Sequence, residues 1–401
     1  SEYPAILCRQ DSTLELHNNS FRRIKSGAAV AIYNNGALID NDGVYSELTG
    51  LAFLVLGPNA RLDVKHSAIS SVGYAGILAQ KGSKVFVSDT HFDKSSGAAI
   101  VLSENSEFEV TGSRFTNCSQ NAIDATKLTT TFIVDRCIFE NNKKDCILIN
   151  DEKGPVVYTI KNSDFLNNDH IAIELNAANY SIETIMAVRN KGGAVFARDG
   201  SKGSIDTSSF GDNTNFSICG TTKASINASN SKFHQHANTA VYAIHGASIT
   251  LLSCELKLNS NIAVLSENND TKLCIEKTTF QRNFLGLQAN DGSFVEITDC
   301  TFTDNETHLE AANFATLDVR GTKLQLSGSG VGTNIGENAN ANFDDCVFRD
   351  EARCAITNLG NTSVANSVIE ECAACGLVWN GVNAKGNISH NQIKKNGPCG
   401  I

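Results

Sequence analysis

Apolar side chains recur in pairs along the chain, each pair split by a polar residue. Leu14 and Leu16 enclose Glu15, Leu62 and Val64 enclose Asp63, and Val85 and Val87, Phe132 and Val134, and Leu273 and Ile275 repeat the figure; Glu109 and Asp318 hold the same polar place. Alternation with a period of two is the mark of a strand with one face buried. Five residues after each pair stands a further apolar anchor, at Phe21, Tyr45, Ile69, Phe92, Phe115, Phe139, Phe165, Val188, Phe210, Phe233, Leu256, Phe280, Phe302, Leu324, Phe348, Ile369 and Ile393. Neighbouring anchors are 21 to 26 residues apart, so one register runs through the chain. A third apolar stretch follows a polar corner, as in AAIVL at 98–102 and ILI at 147–149.

Periods of twenty to fifty residues indicate solenoids. The i, i+3, i+4 stripe of helical solenoids is missing, and so is a six-residue period. Two or three short strands per turn of about 23 residues predict an all-β fold, a right-handed parallel β-helix of about 17 turns over a single domain, 1–401. The chain starts and stops within this pattern, without an amphipathic or charged cap, and open sheet ends are normally covered. The expectation is therefore a segment of a longer chain, with caps or flanking modules elsewhere.

Superposed turns place like residues in rows. Asn142, Asn168, Asn213, Asn259, Asn283, Asn305 and Asn396 each lie three after an anchor and predict a structural ladder of inward amides that pair with corner backbone groups. The thirteen cysteines fall into small-residue rows: Cys137, Cys254, Cys300 and Cys346 two before the anchor, Cys118 and Cys372 in the Asn row, and Cys146, Cys354, Cys375 and Cys399 in a slot before the third strand. There they act as small hydrophobes. Cys372 and Cys375 form a C-x-x-C and are the candidate metal ligands, but stacked rows point along the solenoid rather than at one centre, so no metal and no cofactor is expected. Disulfides between neighbouring turns fit the geometry, since turn spacing lies within the Cα range of a bridge.

Composition narrows the partners. The net charge is −10 with signs interspersed, and no basic run would grip nucleic acid or an anionic membrane. No apolar run reaches the length needed to cross a bilayer. An odd cysteine count without a paired framework predicts reduced thiols and a cytoplasmic or cytoskeletal setting; nine N-x-S/T sequons point weakly to the secreted alternative.

Catalytic candidates are few. Glu296 and Asp318 fall on the outer face of adjacent turns with Arg320 and Asp344 beside them, the best carboxylate cluster for acid/base work on a sugar. Asp169–His170 and the row His234, His236, His245 are candidates for proton transfer. Corners lack long insertions, the largest being two or three residues around DEKGP at 151–155, and Trp379 is the one tryptophan available as a sugar platform.

The repeat resembles the PbH1 β-helix repeat of the carbohydrate-binding and sugar-hydrolase type. Its last turns, ECAACGLVWNG and HNQIKKNGPCGI, are similar to those of intracellular F-box-type and SHC-binding-type β-helix proteins. That resemblance implies the fold and a rod that recognises other proteins. Arg23-Ile24-Lys25, Asp344-Asp345 and His245-Gly246 match fragments of the polygalacturonase signature in the wrong order, and the alginate epimerase DPHE signature is absent. The first expectation is a non-catalytic scaffold binding protein partners within a larger assembly, cytoskeletal or ciliary. The alternative is a carbohydrate-active enzyme, a lyase or hydrolase working on the side of the β-helix, and a third reading is a secreted adhesin-like rod.

Overall fold

A computed structural model describes residues 3–25, 27–152, 154, 156–328 and 330–397; Cys399 lies outside them. They form short β-strands connected by turns, with no helix, and each turn of the chain contributes one strand to each of three parallel sheets. The fold is the right-handed parallel β-helix read from the repeat, with about 17 turns of roughly 23 residues. Contacts divide it into two units, Ser1–Phe196 with Ser201–Gly203, and Ala197–Gly200 with Ser204–Ile401.

In both units a turn runs through sheet A, sheet B and sheet C. In the first unit the strands Glu107–Thr111 of sheet B, Arg114–Thr116 of sheet C and Ile123–Thr126 of sheet A make one such turn. The anchors occupy sheet C and stack in register: Phe92 on Phe115, Phe139 and then Phe165. Their rings are nearly parallel with centroids 4.8–4.9 Å apart, and all are fully buried. In the second unit Phe210, Phe233, Leu256, Phe280, Phe302, Leu324, Phe348, Ile369 and Ile393 form a column of their own. One anchor needs correction. Phe165 pairs with Ala187 and Leu166 with Val188, so the buried place in that turn belongs to a small residue and Val188 is one position off. An apolar neighbour larger than the true occupant misled the alignment.

The C-to-A corner explains the frequent asparagines. Asn117, Asn141 and Asn167 take left-handed φ values of 54°, 58° and 55°, a region that Asn tolerates better than most residues. The residue after each turns inward. Asn142 donates from Nδ2 to the Phe115 carbonyl, and its oxygen accepts the Cys118 N–H; Asn168 repeats this with Phe139 and the Asn142 N–H. Asn190 continues the column. In the second unit Asn259, Asn283 and Asn305 are linked the same way, and Asn396 accepts from the Cys372 N–H.

Candidate functional site

The carboxylates singled out from the sequence lie on the outer face of sheet B in the second unit. Glu296 pairs in register with Asp318, and Arg320 with Asp344. Asp318 is held by Arg320 at 2.7 Å and accepts from Asn342 at 3.1 Å, while Asp344 accepts from Asn366 at 2.8 Å. The described hollows do not include Glu296 or Asp318. These groups form a solvated, mixed-charge face.

The histidine row separates. His236 is fully buried in the Asn column, where its ring meets Ser217 Oγ at 2.7 Å, and burial pushes its pKa down to about 4. His245, on an exposed corner, approaches Thr221, and His234 lies half-buried on sheet C. His308, outside the histidine row, is fully buried 3.4 Å from the equally buried Glu351.

His170 is different. Its Nδ1 lies 2.5 Å from an oxygen of Asp145, one turn earlier at the same corner. That oxygen also accepts the Ile171 N–H at 3.2 Å. Burial raises the Asp145 pKa, and the hydrogen bond to His170 opposes the rise. A carboxylate on Nδ1–H assigns the tautomer of the neutral ring and leaves Nε2 to take a proton. The imidazole is half-exposed. Beside it Asp169 bonds Lys143 at 2.6 Å and Lys191 at 2.8 Å, which hold its pKa down to about 2. The sequence does not reveal the Asp145–His170 pair, because the two lie 25 residues apart and one corner place off the anchor register.

A second cluster occupies the outer face of sheet B in the first unit. The outward row there reads Asp63, Phe86, Glu109, Ile133, Thr159 on successive turns. Arg61 grips both oxygens of Asp63, at 2.6 and 2.9 Å, and lays its guanidinium 4.5 Å from the Phe86 ring centre. Glu109 stands between Phe86 and Ile133. Asp63 and Glu109 are two turns apart, about 9–10 Å between Cα atoms at sheet spacing. A shallow depression of about 180 Å³ holds Asp63, Phe86 and Glu109. Adjoining it along the sheet is a hollow of about 590 Å³ lined by Glu107, Thr129–Ile133, Val157 and Thr159. The hollow lies in the turn between the anchors Phe139 and Phe165, the longest anchor spacing in the sequence, through Val156, Val157 and Thr159. A further hollow of about 600 Å³, in the second unit, is edged by Asn338, Asn340, Asn361, Asn383 and Val382 without a carboxylate pair. Asp63 and Glu109 could have been found by reading the polar residue between each apolar pair as a column in its own right.

No group of three or more His, Cys, Asp or Glu side chains among the described residues is placed to hold a metal ion. Cys372 turns inward, donating to the Glu370 carbonyl, and burial pushes its thiol up to about 12. Cys375 lies half-buried at the corner. Burial likewise pushes Cys137, Cys300 and Cys346 to about 12 and Cys254 to about 11, and each donates to backbone carbonyls. No described helix is long and apolar enough to cross a membrane.

Fold and surface together define a parallel β-helix protein with polar rows on the outside of its sheets. Residues 4–165, 145–324 and 265–401 match the family described as right handed beta helix region, and the chain belongs to that family. No curated protein matches it. Among solved structures it is similar to the periplasmic alginate epimerase AlgG, with 8% identity, 87% of this chain and 79% of that one covered, and a TM-score of 0.40. It is also similar to the catalytic unit of the thermostable GH87 α-1,3-glucanase of Streptomyces thermodiastaticus strain HF3-3, with 10% identity, 95% and 63% covered, and a TM-score of 0.32. The Azotobacter vinelandii mannuronan C-5 epimerase AlgE6 A-module gives 10% identity, 96% and 91% covered, and 0.31. At these identities the likeness is one of fold. The expectation of a non-catalytic scaffold is corrected here: the structures found similar are alginate epimerases, a glucanase and an alginate lyase rather than assembly proteins.

Proposed function

We propose that the protein is a carbohydrate-active enzyme, a hydrolase working on a glycan chain laid along the outer face of sheet B in the first unit. The observation that carries the reading is the row Asp63–Phe86–Glu109, two carboxyl groups flanking a half-exposed aromatic ring beside an open hollow. An aromatic face takes the apolar side of a sugar ring. Two carboxyls on either side of it supply a proton to the leaving oxygen and activate water, and a wide separation suits an inverting displacement. Asp63, oriented by Arg61, is the base; Glu109, across Phe86 from it, is the acid. Thr129–Thr131 and Thr159 offer hydroxyls to the next sugar. An extracytoplasmic location belongs to the same reading, since polysaccharide is met there.

A second reading rests on the 2.5 Å bond between Asp145 and His170. An imidazole oriented by a buried carboxylate, with Lys143 and Lys191 close by, suits abstraction of a proton next to a sugar carboxylate, the step of a polyuronate lyase.

One incubation with polyuronates and α- and β-glucans separates the two. New reducing ends without unsaturated sugar, lost in Asp63→Asn and Glu109→Gln and retained in His170→Ala, are the expected result. Unsaturated, ultraviolet-absorbing ends lost in His170→Ala would move the chemistry to the second reading. No product from any glycan would overturn both.

A further inference from the structure

We propose that Cys354 and Cys375 are a reversible thiol–disulfide site that clips two successive turns of the second unit together. The slot before the third strand was expected to hold both residues, but strand register corrects this. Ile356 pairs with Leu377, and Phe348 with Ile369. The buried small-residue places are thus Ala355 and Gly376, and each cysteine lies one residue earlier, at the rim of the corner. Eight residues separate the two register pairs in either turn, so no insertion intervenes and Cys354 stands in register with Cys375 on the next turn. Neighbouring strands put their Cα atoms about 4.8 Å apart, inside the 4.4–6.8 Å range that a disulfide spans.

Exposure and register together distinguish this pair among the described cysteines of the second unit. Cys219, Cys254, Cys300, Cys346 and Cys372 are buried, whereas Cys354 and Cys375 are half-open to solvent. Thiol exchange needs a thiolate that an oxidant can reach. Cys372 fails on both counts, buried and with its thiol pushed up to about 12, so the C-x-x-C sequence does not itself make the redox pair. Cys274, the exposed thiol on sheet B, lies in register with Thr250 and Glu296 and has no cysteine partner across the strands.

With glutathione disulfide as oxidant, the thiolate of Cys354 attacks one glutathione sulfur and expels a glutathione thiolate. The Cys375 thiolate then displaces the second glutathione and forms the Sγ–Sγ bond. Two protein thiols and one glutathione disulfide become one protein disulfide and two glutathione thiols. The bond would tie adjacent turns where Gly376 meets Ala355 and Ile356 through its carbonyl.

The test uses the whole chain without any glycan, so its outcome is independent of the catalytic reading. After equilibration with glutathione disulfide and alkylation, a Glu-specific protease cuts at Glu370 and Glu371 and separates Cys354 from Cys372 and Cys375. The proposal expects the two fragments joined without reductant, joined still in Cys372→Ser, and apart in Cys375→Ser and Cys354→Ser. Fragments that stay apart in the native chain, a link that survives Cys375→Ser, or Cys375 joined instead to Cys399 would overturn it.

Discussion

Removing the Asn168 side chain tests how the solenoid holds its corner. In the native protein Oδ1 of Asn168 accepts the Asn142 N–H at 2.9 Å and the Asn142 amide at 3.1 Å, while its Nδ2 donates to the Phe139 carbonyl at 3.1 Å and to Asn190 at 2.8 Å. Asn168→Ala leaves the buried Asn142 N–H without its acceptor, while the Phe139 carbonyl loses its side-chain donor and keeps its place in the sheet C ladder. The Asn142 amide keeps Phe115, and Asn190 Oδ1 keeps the backbone N–H of residue 168. The orphaned N–H costs about 1–3 kcal/mol and the lost second bond to the carbonyl about 1, so the loss should be about 2–4 kcal/mol once a small void is included. Stacked turns interact chiefly with their neighbours, so the damage should be local. Urea unfolding followed by circular dichroism gives the total, and hydrogen exchange read by mass spectrometry gives the location, with fast exchange confined to the turns around residues 139–190. Lys144→Ala, on the exposed side of the same corner, serves as the control. A loss below about 1 kcal/mol with unchanged exchange at Asn142 would refute the ladder as a source of stability.

Acid should weaken the second unit through His236. Its folded pKa near 4 lies below the ordinary value of about 6.5, so the unfolded chain binds the extra proton first; stability is full above pH 6.5 and falls as pH drops toward 4, by roughly 3 kcal/mol. His236→Asn, copying its neighbours Asn213 and Asn259, should flatten that stretch of the pH–stability curve, and an unaltered curve would contradict the assignment. Lys143→Ala with Lys191→Ala should raise the Asp169 pKa from about 2 toward the ordinary carboxyl range, as followed by carboxyl-carbon NMR titration. Gly97→Ala would set a Cβ 1.7 Å from the Tyr74 carbonyl oxygen and should cost more than about 2 kcal/mol in thermal or urea unfolding, whereas a neutral outcome would mean that the corner can move.

The solenoid was legible because its period acts on the strongest signal in a sequence, apolar side chains that must be buried. Phe92, Phe115, Phe139 and Phe165 announce their column by size alone. Where the buried residue is small, as at Ala187, size misleads and Val188 takes its place. Rows on the outside carry no such constraint. Glu296 and Asp318 were visible as carboxylates in register, yet a pair on a smooth face and a pair beside a hollow read alike. The hollow beside Thr129–Ile133 is lined by strand and corner residues of several turns, which no single stretch of sequence brings together. Asp145 and His170 meet at a corner, and Cys354 and Cys375 stand in register at another, where a shift of one residue decides whether a side chain points inward or out. Periodicity resolves strands well and corners poorly, and the candidate chemistry of this protein lies at corners and on outer faces.

Hydrogen exchange of the native chain with and without a size-graded mixture of polyuronate and glucan oligosaccharides tests the central claim most directly. The account predicts slowed exchange on the strands carrying Phe86, Glu109, Ile133 and Thr159, abolished by Phe86→Ala in a protein that remains folded. Protection confined to other faces, or none with any oligosaccharide, would contradict it.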